Sequence, residues 1–370
     1  MPLTIEESLV VEELSIAGYE KVYRIRDQKA GLHAIISLHN TSLGPALGGT
    51  RIHPYATFDA ALTDALRLAK GMTYKSALAE TGFGGGKSVI IADPRKQKTP
   101  EMLRAFGRAV HALGGVYICA EDAGSTTADM MTIREETPYV VGLEHESSSG
   151  NPSPFTAWGV LRGIQSVLKK VYGSDAIQDR TIAIQGAGSV GARLAGYLFW
   201  AGAKLIITDV DRSRAEQVGA QYGARVCSPE EIYSVPCDVF APCAMGGVLN
   251  PSTTSRLQCK AVAGAANNQL LHDSDADELM RRGILYAPDF VINAGGLINV
   301  TCELEEQGYR PEAARQKTHQ VYDQLMIIYD IAEQNRFSTQ AAALALGDYR
   351  LKYGIGKRIL PPTFHHTFVH

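Results

Sequence analysis

Thr181-Ile-Ala-Ile-Gln185 has the composition of a short buried strand; Gly186-Ala187-Gly188-Ser189-Val190-Gly191 follows it, and a helical run from Ala192 to Trp200 comes next. A second β-rich run, Lys204-Leu-Ile-Ile-Thr208, leads into Asp209. The order strand, glycine turn, helix, strand gives a G-x-G-x-x-G its meaning, since the glycines alone are weak evidence. Gly186 permits a tight turn, Gly188 lets a pyrophosphate approach N–H groups at a helix N-terminus, and Gly191 lets that helix lie close on a sheet. Asp209 stands 23 residues beyond Gly186, close to the roughly 20 at which a carboxylate reaches the adenine-ribose hydroxyls. Its charge repels a 2′-phosphate, so the expected cofactor is NAD in preference to NADP. Arg212 nearby is a guanidinium that could hold such a phosphate and works against that preference.

The rest of the chain has the same character. Strand-like runs such as His33-Ala-Ile-Ile-Ser-Leu-His39 and Val89-Ile-Ile-Ala92 alternate with helical ones, the pattern of an α/β protein. Phe58, Ala61, Leu62, Ala65, Leu66 and Ala69 recur at helical spacing behind a capping Thr57, and Thr99-Pro100-Glu101 opens a helix expected to run to about Leu113. At roughly 100–200 residues per domain, 370 residues suggest two domains. The polar stretch 144–156 reads as a linker, with the boundary near 145. Residues 1–144 are therefore expected to form a substrate-binding, catalytic and oligomerisation domain, and residues 145–337 the Rossmann domain. Helices from about 312, and chiefly 338–370, could return to the first domain.

Composition narrows the classes of function. With 36 basic and 39 acidic side chains, net charge −3, no surplus is available to neutralise a phosphate backbone, so no nucleic-acid partner is expected. No apolar run reaches 18 residues, which argues against a membrane span. Glu6, Glu7, Glu12 and Glu13 occupy the place of a basic, apolar secretory signal. The expectation is a soluble, cytoplasmic protein. The six cysteines form no C-x-x-C pair and read as reduced thiols, and no metal site is expected.

A second glycine-rich constellation occupies the first half: Gly44-Pro-Ala-Leu47-Gly48-Gly49-Thr-Arg51, Lys70-Gly-Met-Thr-Tyr-Lys75 and Gly82-Phe-Gly-Gly-Gly-Lys87-Ser88. It is not a P-loop, because only three residues separate Gly82 from Gly86 where four are required. Glycines crowded against a lysine mark a place where something must come close to the backbone. The carboxylates of Glu121 and Asp122 follow the β-rich run Val116-Tyr-Ile-Cys119 and so belong at a strand's C-terminal end.

These segments resemble the amino-acid dehydrogenases of the glutamate/leucine/phenylalanine/valine group, the leucine-type branch most nearly. The resemblance runs from about His33 to Tyr309 and includes Ala120-Glu-Asp122, Ser149-Gly-Asn-Pro-Ser-Pro154, Ala241-Pro-Cys-Ala244, Ala263-Gly-Ala-Ala-Asn267-Asn268-Gln269 and Ala287-Pro-Asp-Phe-Val-Ile-Asn293-Ala-Gly-Gly296. It implies that Lys75 pairs with a substrate α-carboxylate, assisted by backbone at Gly48 and Gly49. It makes Lys87 the catalytic lysine and Asp122 the group that binds the amino nitrogen and moves its protons. It sets Ala244, Asn267 and Asn268 beside the nicotinamide and substrate, and Asn293 near a cleft between the domains. The implied partners are an L-amino acid or its 2-oxo acid and further copies of the chain, often eight. Oxidative deamination needs a neutral base; burial and the charge of Lys75 would depress the Lys87 pKa, while Asp122 would offset part of that shift.

The same resemblance outlines a side-chain pocket of Leu47, Ala120, Val141, Leu297 and Val300. Leu47 replaces the lysine that reads the side-chain carboxylate in glutamate-specific relatives, and burying an unpaired carboxylate there would cost several kcal/mol. An aliphatic pocket favours leucine first, then valine and isoleucine. Phenylalanine is the alternative, since Gly84-Gly-Gly-Lys-Ser-Val-Ile90 and Cys237 to Gly247 look more like the phenylalanine and valine enzymes. Val141 and Leu297 depart from the threonine and valine usual in the leucine type. Another NAD-linked dehydrogenase sharing only the second domain would leave the lysine–glycine constellation unexplained. An inactive NAD-binding relative would be expected to have lost Lys75, Lys87 or Asp122.

Overall fold

The computed structural model describes residues 3–4, 8–143 and 148–365; the expected boundary at 145 lies outside the described residues. The chain forms two compact units, one of Met1–Asn151, Val300–Pro311 and Tyr349–His370, the other of Pro152–Asn299 and Glu312–Asp348.

In the first unit, β1 (Leu3–Thr4), β2 (Leu9–Leu14), β3 (Lys21–Asp27), β4 (Leu32–Asn40), β5 (Ala46–His53), β6 (Gly84–Ile91) and β7 (Tyr117–Glu121) form one sheet in the order β1-β2-β3-β4-β6-β5-β7. Pairings from β1 through β4 to β6 are antiparallel, whereas β5 lies parallel to both β6 and β7. One face is covered by α1 (Phe58–Leu78), whose Ala61 and Ala65 pack on Val22, Ile35 and Val89. The other is covered by α2 (Pro100–Ala112) and α3 (Thr127–Arg134), which bury Met102, Phe106, Val110, Met130 and Ile133 against Ala34, Ile36 and Ile90. Helices on both faces explain why β4 is buried from Ala34 to Leu38 without alternation. Thr57 and Thr99 cap α1 and α2 as their sequences indicate, each accepting from the N–H three residues on.

β6 corrects one expectation. The apolar run suggests a strand over Val89–Ala92, but the strand starts at Gly84 and takes in all three glycines and Lys87. Glycine is a poor strand former, yet a Cβ on Gly85 would overlap the backbone of Thr73 in α1. The glycines let α1 lie directly on the strand, and packing overrides propensity.

The second unit carries β8 (Thr181–Gln185), β9 (Lys204–Thr208), β10 (Arg225–Val226), β11 (Val239–Pro242), β12 (Ala261–Val262) and β13 (Leu285–Tyr286) in a parallel sheet of order β10-β9-β8-β11-β12-β13. This is the doubly wound order, with its reversal between β8 and β11. The helices are α4 (Ser153–Tyr172), α5 (Ser189–Trp200), α6 (Arg212–Tyr222), α7 (Pro251–Thr254), α8 (Asp275–Arg281) and α9 (Asp289–Ile292). The chain passes between the units along α10 (Gly295–Thr301), α11 (Pro311–Asn335) and α12 (Thr339–Tyr353). Ser153-Pro154-Phe155-Thr156, read from sequence as linker, instead forms the first turn of α4. Proline is tolerated there because the first turn's N–H groups have no helical acceptor. Among the described residues no helix is long and apolar enough to cross a membrane.

Candidate active site

In the first unit the reactive side chains share one face of three neighbouring strands. Leu47 aligns with Gly85 and Thr50 with Ser88 between β5 and β6, which sets Gly49 beside Lys87. Gly49 aligns with Ala120 on β7. Alternation along a strand then puts Leu47, Gly49 and Arg51, Lys87, and Ala120 with Asp122 on the same side. Glu121 falls on the other side, exposed, and accepts a hydrogen bond from Thr127.

Lys87 is only 5% exposed, and its Nζ lies 2.7 Å from Asp122 Oδ2. Arg51 Nε donates to the same oxygen at 3.0 Å, so both cations converge on Oδ2. Burial would raise the Asp122 pKa, but the charges of Lys87 and Arg51 outweigh it and hold the carboxyl at about 2. Gly49 is what allows this cluster: a Cβ there would stand 2.7 Å from Asp122 Cβ and 3.1 Å from Lys87 Nζ. Gly48 is equally constrained, since a Cβ on it would overlap the Gly86 carbonyl.

Lys75 lies half-buried in the last turn of α1. That turn is fastened by Arg350, which is buried and donates to the carbonyls of Ala77 and Leu78 at 3.1 and 3.0 Å. Leu47 and Val141 are almost wholly buried, Ala120 partly so, and Val300 lies 3.8 Å from where a Cβ on Gly142 would stand. The first unit thus brings together Lys87, Asp122 and Gly49 by contact and aligns Leu47 and Ala120 with them, while Gly48 alternates to the other side of β5. Leu297 belongs to the second unit, where it is buried on α10.

In the second unit the glycine turn has the geometry its spacing implies. Gly186 takes φ +108°, in the region that favours glycine. A Cβ on Gly191 would overlap the Gly186 carbonyl, so the helix sits tight on the turn. Gly188 caps α5 without a side chain of its own, and a Cβ on it would meet no atom within 4 Å. The N-terminal N–H groups of α5, including those of Ser189 and Val190, and the open space over Gly188 form an anion cradle. Asp209 Oδ2 accepts from the Ala187 N–H at 2.7 Å, which ties the acidic residue to the turn. Arg212 is paired with Glu216 at 2.7 Å.

Across the reversal, Ala244 abuts Gly186, and a Cβ on Gly246 would lie 2.7 and 2.8 Å from the carbonyls of Asn267 and Asn268. Asn268 takes φ +51°. Asn293 donates to Asn267 Oδ1 at 2.7 Å and to the Ala265 carbonyl at 3.1 Å, while its own Oδ1 is buried with no hydrogen-bond partner among the described residues. The open cradle and this orphaned acceptor fit a dinucleotide with a polar amide at its far end.

Sequence reasoning assigned no role to three charged residues that tie distant parts of the first unit together. Arg51 stands in a quoted motif, but its grip on Asp122, and on Asp64, which also accepts from Tyr55, follows only from strand register. Arg350 reaches its carbonyls from 272 residues away in sequence. Glu303 carries no local signal at all.

Both halves of the chain have counterparts among known proteins. The dimerisation domain of the Glu/Leu/Phe/Val dehydrogenases matches residues 20–139, and the Glutamate/Leucine/Phenylalanine/Valine dehydrogenase domain matches residues 205–348. Leucine dehydrogenase of Geobacillus stearothermophilus is 48% identical over 335 residues, covering 90% of this chain and 91% of that protein. Phenylalanine dehydrogenase of Caldalkalibacillus thermarum is 46% identical over 345 residues, covering 91% and 92%. The crystal structure of L-tryptophan dehydrogenase from Nostoc punctiforme superposes with a TM-score of 0.80 at 44% identity, covering 91% of this chain and 96% of that one. The chain belongs to the glutamate/leucine/phenylalanine/valine dehydrogenase family, as an amino-acid dehydrogenase of the leucine dehydrogenase type.

Proposed function

We propose that the protein catalyses reversible oxidative deamination of a branched-chain L-amino acid, leucine first, with NAD. The observation that carries this reading is the Lys87–Asp122 pair on a strand face where Leu47 is the apolar neighbour. Lys75 would hold the α-carboxylate, with the backbone of Gly48 and Gly49 alongside. Asp122, ionised down to about pH 2, would accept from the substrate's amino group through Oδ1, the oxygen that carries neither cation. NAD supplies the acceptor for the hydride that leaves Cα. Lys87 would then deprotonate the water that attacks the iminium carbon, and Asp122 would return to the departing nitrogen the proton it took from the substrate ammonium before hydride transfer. Water is called on only once the iminium has formed, because only then is the carbon electrophilic.

For cofactor choice, the Gly186–Gly191 turn would take the pyrophosphate and Asp209 the adenine ribose. Arg212, engaged by Glu216, leaves Asp209 as the nearer determinant and supports NAD over NADP. Asn293 and Asn267 would orient the nicotinamide amide, and Ala244 and Asn268 would line its approach. Leu47, Ala120, Val141 and Val300, all of the first unit, would line the side-chain pocket. We also read the first unit as the oligomerisation domain of a cytoplasmic homo-oligomer, and the second unit, which carries the glycine turn, as the NAD-binding domain.

The test is NADH formation from NAD, and NADPH from NADP, with leucine, isoleucine, valine, phenylalanine, tryptophan and glutamate. The expected result is turnover of the aliphatic acids with NAD and none of glutamate. A preference for phenylalanine would retain the chemistry and replace the substrate; the 46% identity to a phenylalanine dehydrogenase makes this the specific second reading. Turnover of glutamate would overturn the argument from Leu47.

A further inference from the structure

Glu303 is a buried acid that the reaction does not use. It lies in the 3-10 turn Cys302–Leu304 of the first unit, 5% exposed, with no cation against it among the described residues. Its two oxygens each accept from the Gly142 N–H at 3.2 Å, and Oε1 also accepts from the Ser149 N–H at 2.8 Å. Burial raises its pKa, and only the hydrogen bonds from Ser149 and Gly142 oppose that. An acid kept in so unfavourable a place calls for a reason. The turn that carries it is tied down: the Leu304 carbonyl accepts from Arg358 at 2.6 Å and from the Thr363 N–H at 3.1 Å.

What the carboxylate holds is the neighbourhood of the pocket. Gly142 takes φ +75°, directly after Val141, and Val141 N–H donates to the Cys119 carbonyl on β7 at 3.0 Å. Val300 precedes Glu303 by three residues and packs 3.8 Å from the Cβ position of Gly142. One carboxylate therefore binds the backbone just past one pocket residue while its own segment carries another.

We infer that Glu303 is a positioning residue for substrate specificity, fixing the Val141–Gly142 backbone against Val300 and so setting the width of the side-chain pocket. The inference rests on the pocket named under the proposed function. A carboxylate suits the task because it offers acceptors to both N–H groups. A glutamine would turn an N–H₂ donor against one of them.

The test is a kinetic comparison of Glu303→Gln and Glu303→Asp with wild type on leucine, valine and phenylalanine, together with KM for NAD and the thermal midpoint. The aspartate keeps charge and acceptors but withdraws them by one methylene, and serves if the glutamine variant does not fold. The expected result is an amino-acid KM raised about tenfold, the scale of one misplaced pocket group. It also includes unequal changes in kcat/KM among the three acids, with kcat on leucine and KM for NAD within about threefold of wild type. An equal fall for all three substrates, or a lowered thermal midpoint with unaltered ratios, would overturn the inference and leave Glu303 a structural acid. The pocket reading fails separately, if wild type itself turns over glutamate or accepts none of the apolar acids.

Discussion

The two glycine-rich segments use the same residue for opposite ends. In β6 and its neighbour β5, the glycines are filled in by the chain itself: Thr73 lies over Gly85, Gly86 over Gly48, and Asp122 with Lys87 over Gly49. In the turn after β8, Gly191 is filled by the Gly186 carbonyl, but Gly188 faces open space. The first segment is glycine-rich so that a helix and an ion pair can approach a strand. The second is glycine-rich at Gly188 so that something outside the chain can. The crowded glycines assemble the Lys87–Asp122 ion pair, and the open glycine at a bare helix N-terminus leaves the room that the proposed cofactor's pyrophosphate would need.

The contrast can be broken at several points. Lys87→Met should have the largest effect, lowering kcat about 10³-fold, within the usual range for a lost general acid–base group, while NADH binding by fluorescence stays at the wild-type value. Near-normal turnover would remove Lys87 from the chemistry. Gly49→Ala inserts a methyl 2.7 Å from Asp122 Cβ and 3.1 Å from Lys87 Nζ. Since a displacement of about 1 Å at a reacting group costs on the order of 10²-fold, kcat for leucine should fall by that factor with KM for NAD unchanged.

Gly188→Ala and Gly191→Ala sharpen the comparison from the other side. The alanine at 188 meets no atom within 4 Å, so the thermal midpoint should hold. KM for NAD should rise about tenfold if a methyl there obstructs the pyrophosphate. Gly191→Ala, overlapping the Gly186 carbonyl, should instead lower the midpoint by several degrees, each lost kcal/mol being worth about 2–4 °C in a domain of this size. Equal stability losses in both variants would erase the distinction between open and filled glycines.

The smallest expected effect is on acid stability. The Asp122 pKa is depressed from 3.8 to about 2, so its ionised form stabilises the folded state above pH 3.8. That contribution, about 2 kcal/mol, is lost as pH falls toward 2. Asp122→Asn should therefore flatten the urea midpoint between pH 5 and 2.5 relative to wild type. An unchanged slope would mean that Lys87 and Arg51 do not act on Asp122 in solution.

Much of this was written locally. The strand limits Thr181–Gln185 and Lys204–Thr208, the caps at Thr57 and Thr99, and the turn at Gly186 follow from side-chain alternation, hydroxyl capping and glycine spacing, all of which act over a few residues. Local rules also made Lys87 conspicuous among its glycines, and the family motifs assigned it a role. They failed at β6, where a strand of glycines exists only because α1 lies on it. They also missed the first turn of α4, whose residues read as linker. Arg51 on Asp122, Arg350 on the end of α1 and Glu303 between Gly142 and Ser149 were decided by the tertiary structure alone. Each joins residues 71 to 273 or so positions apart, and a buried charge acquires its partner only when register and packing bring distant backbone to it.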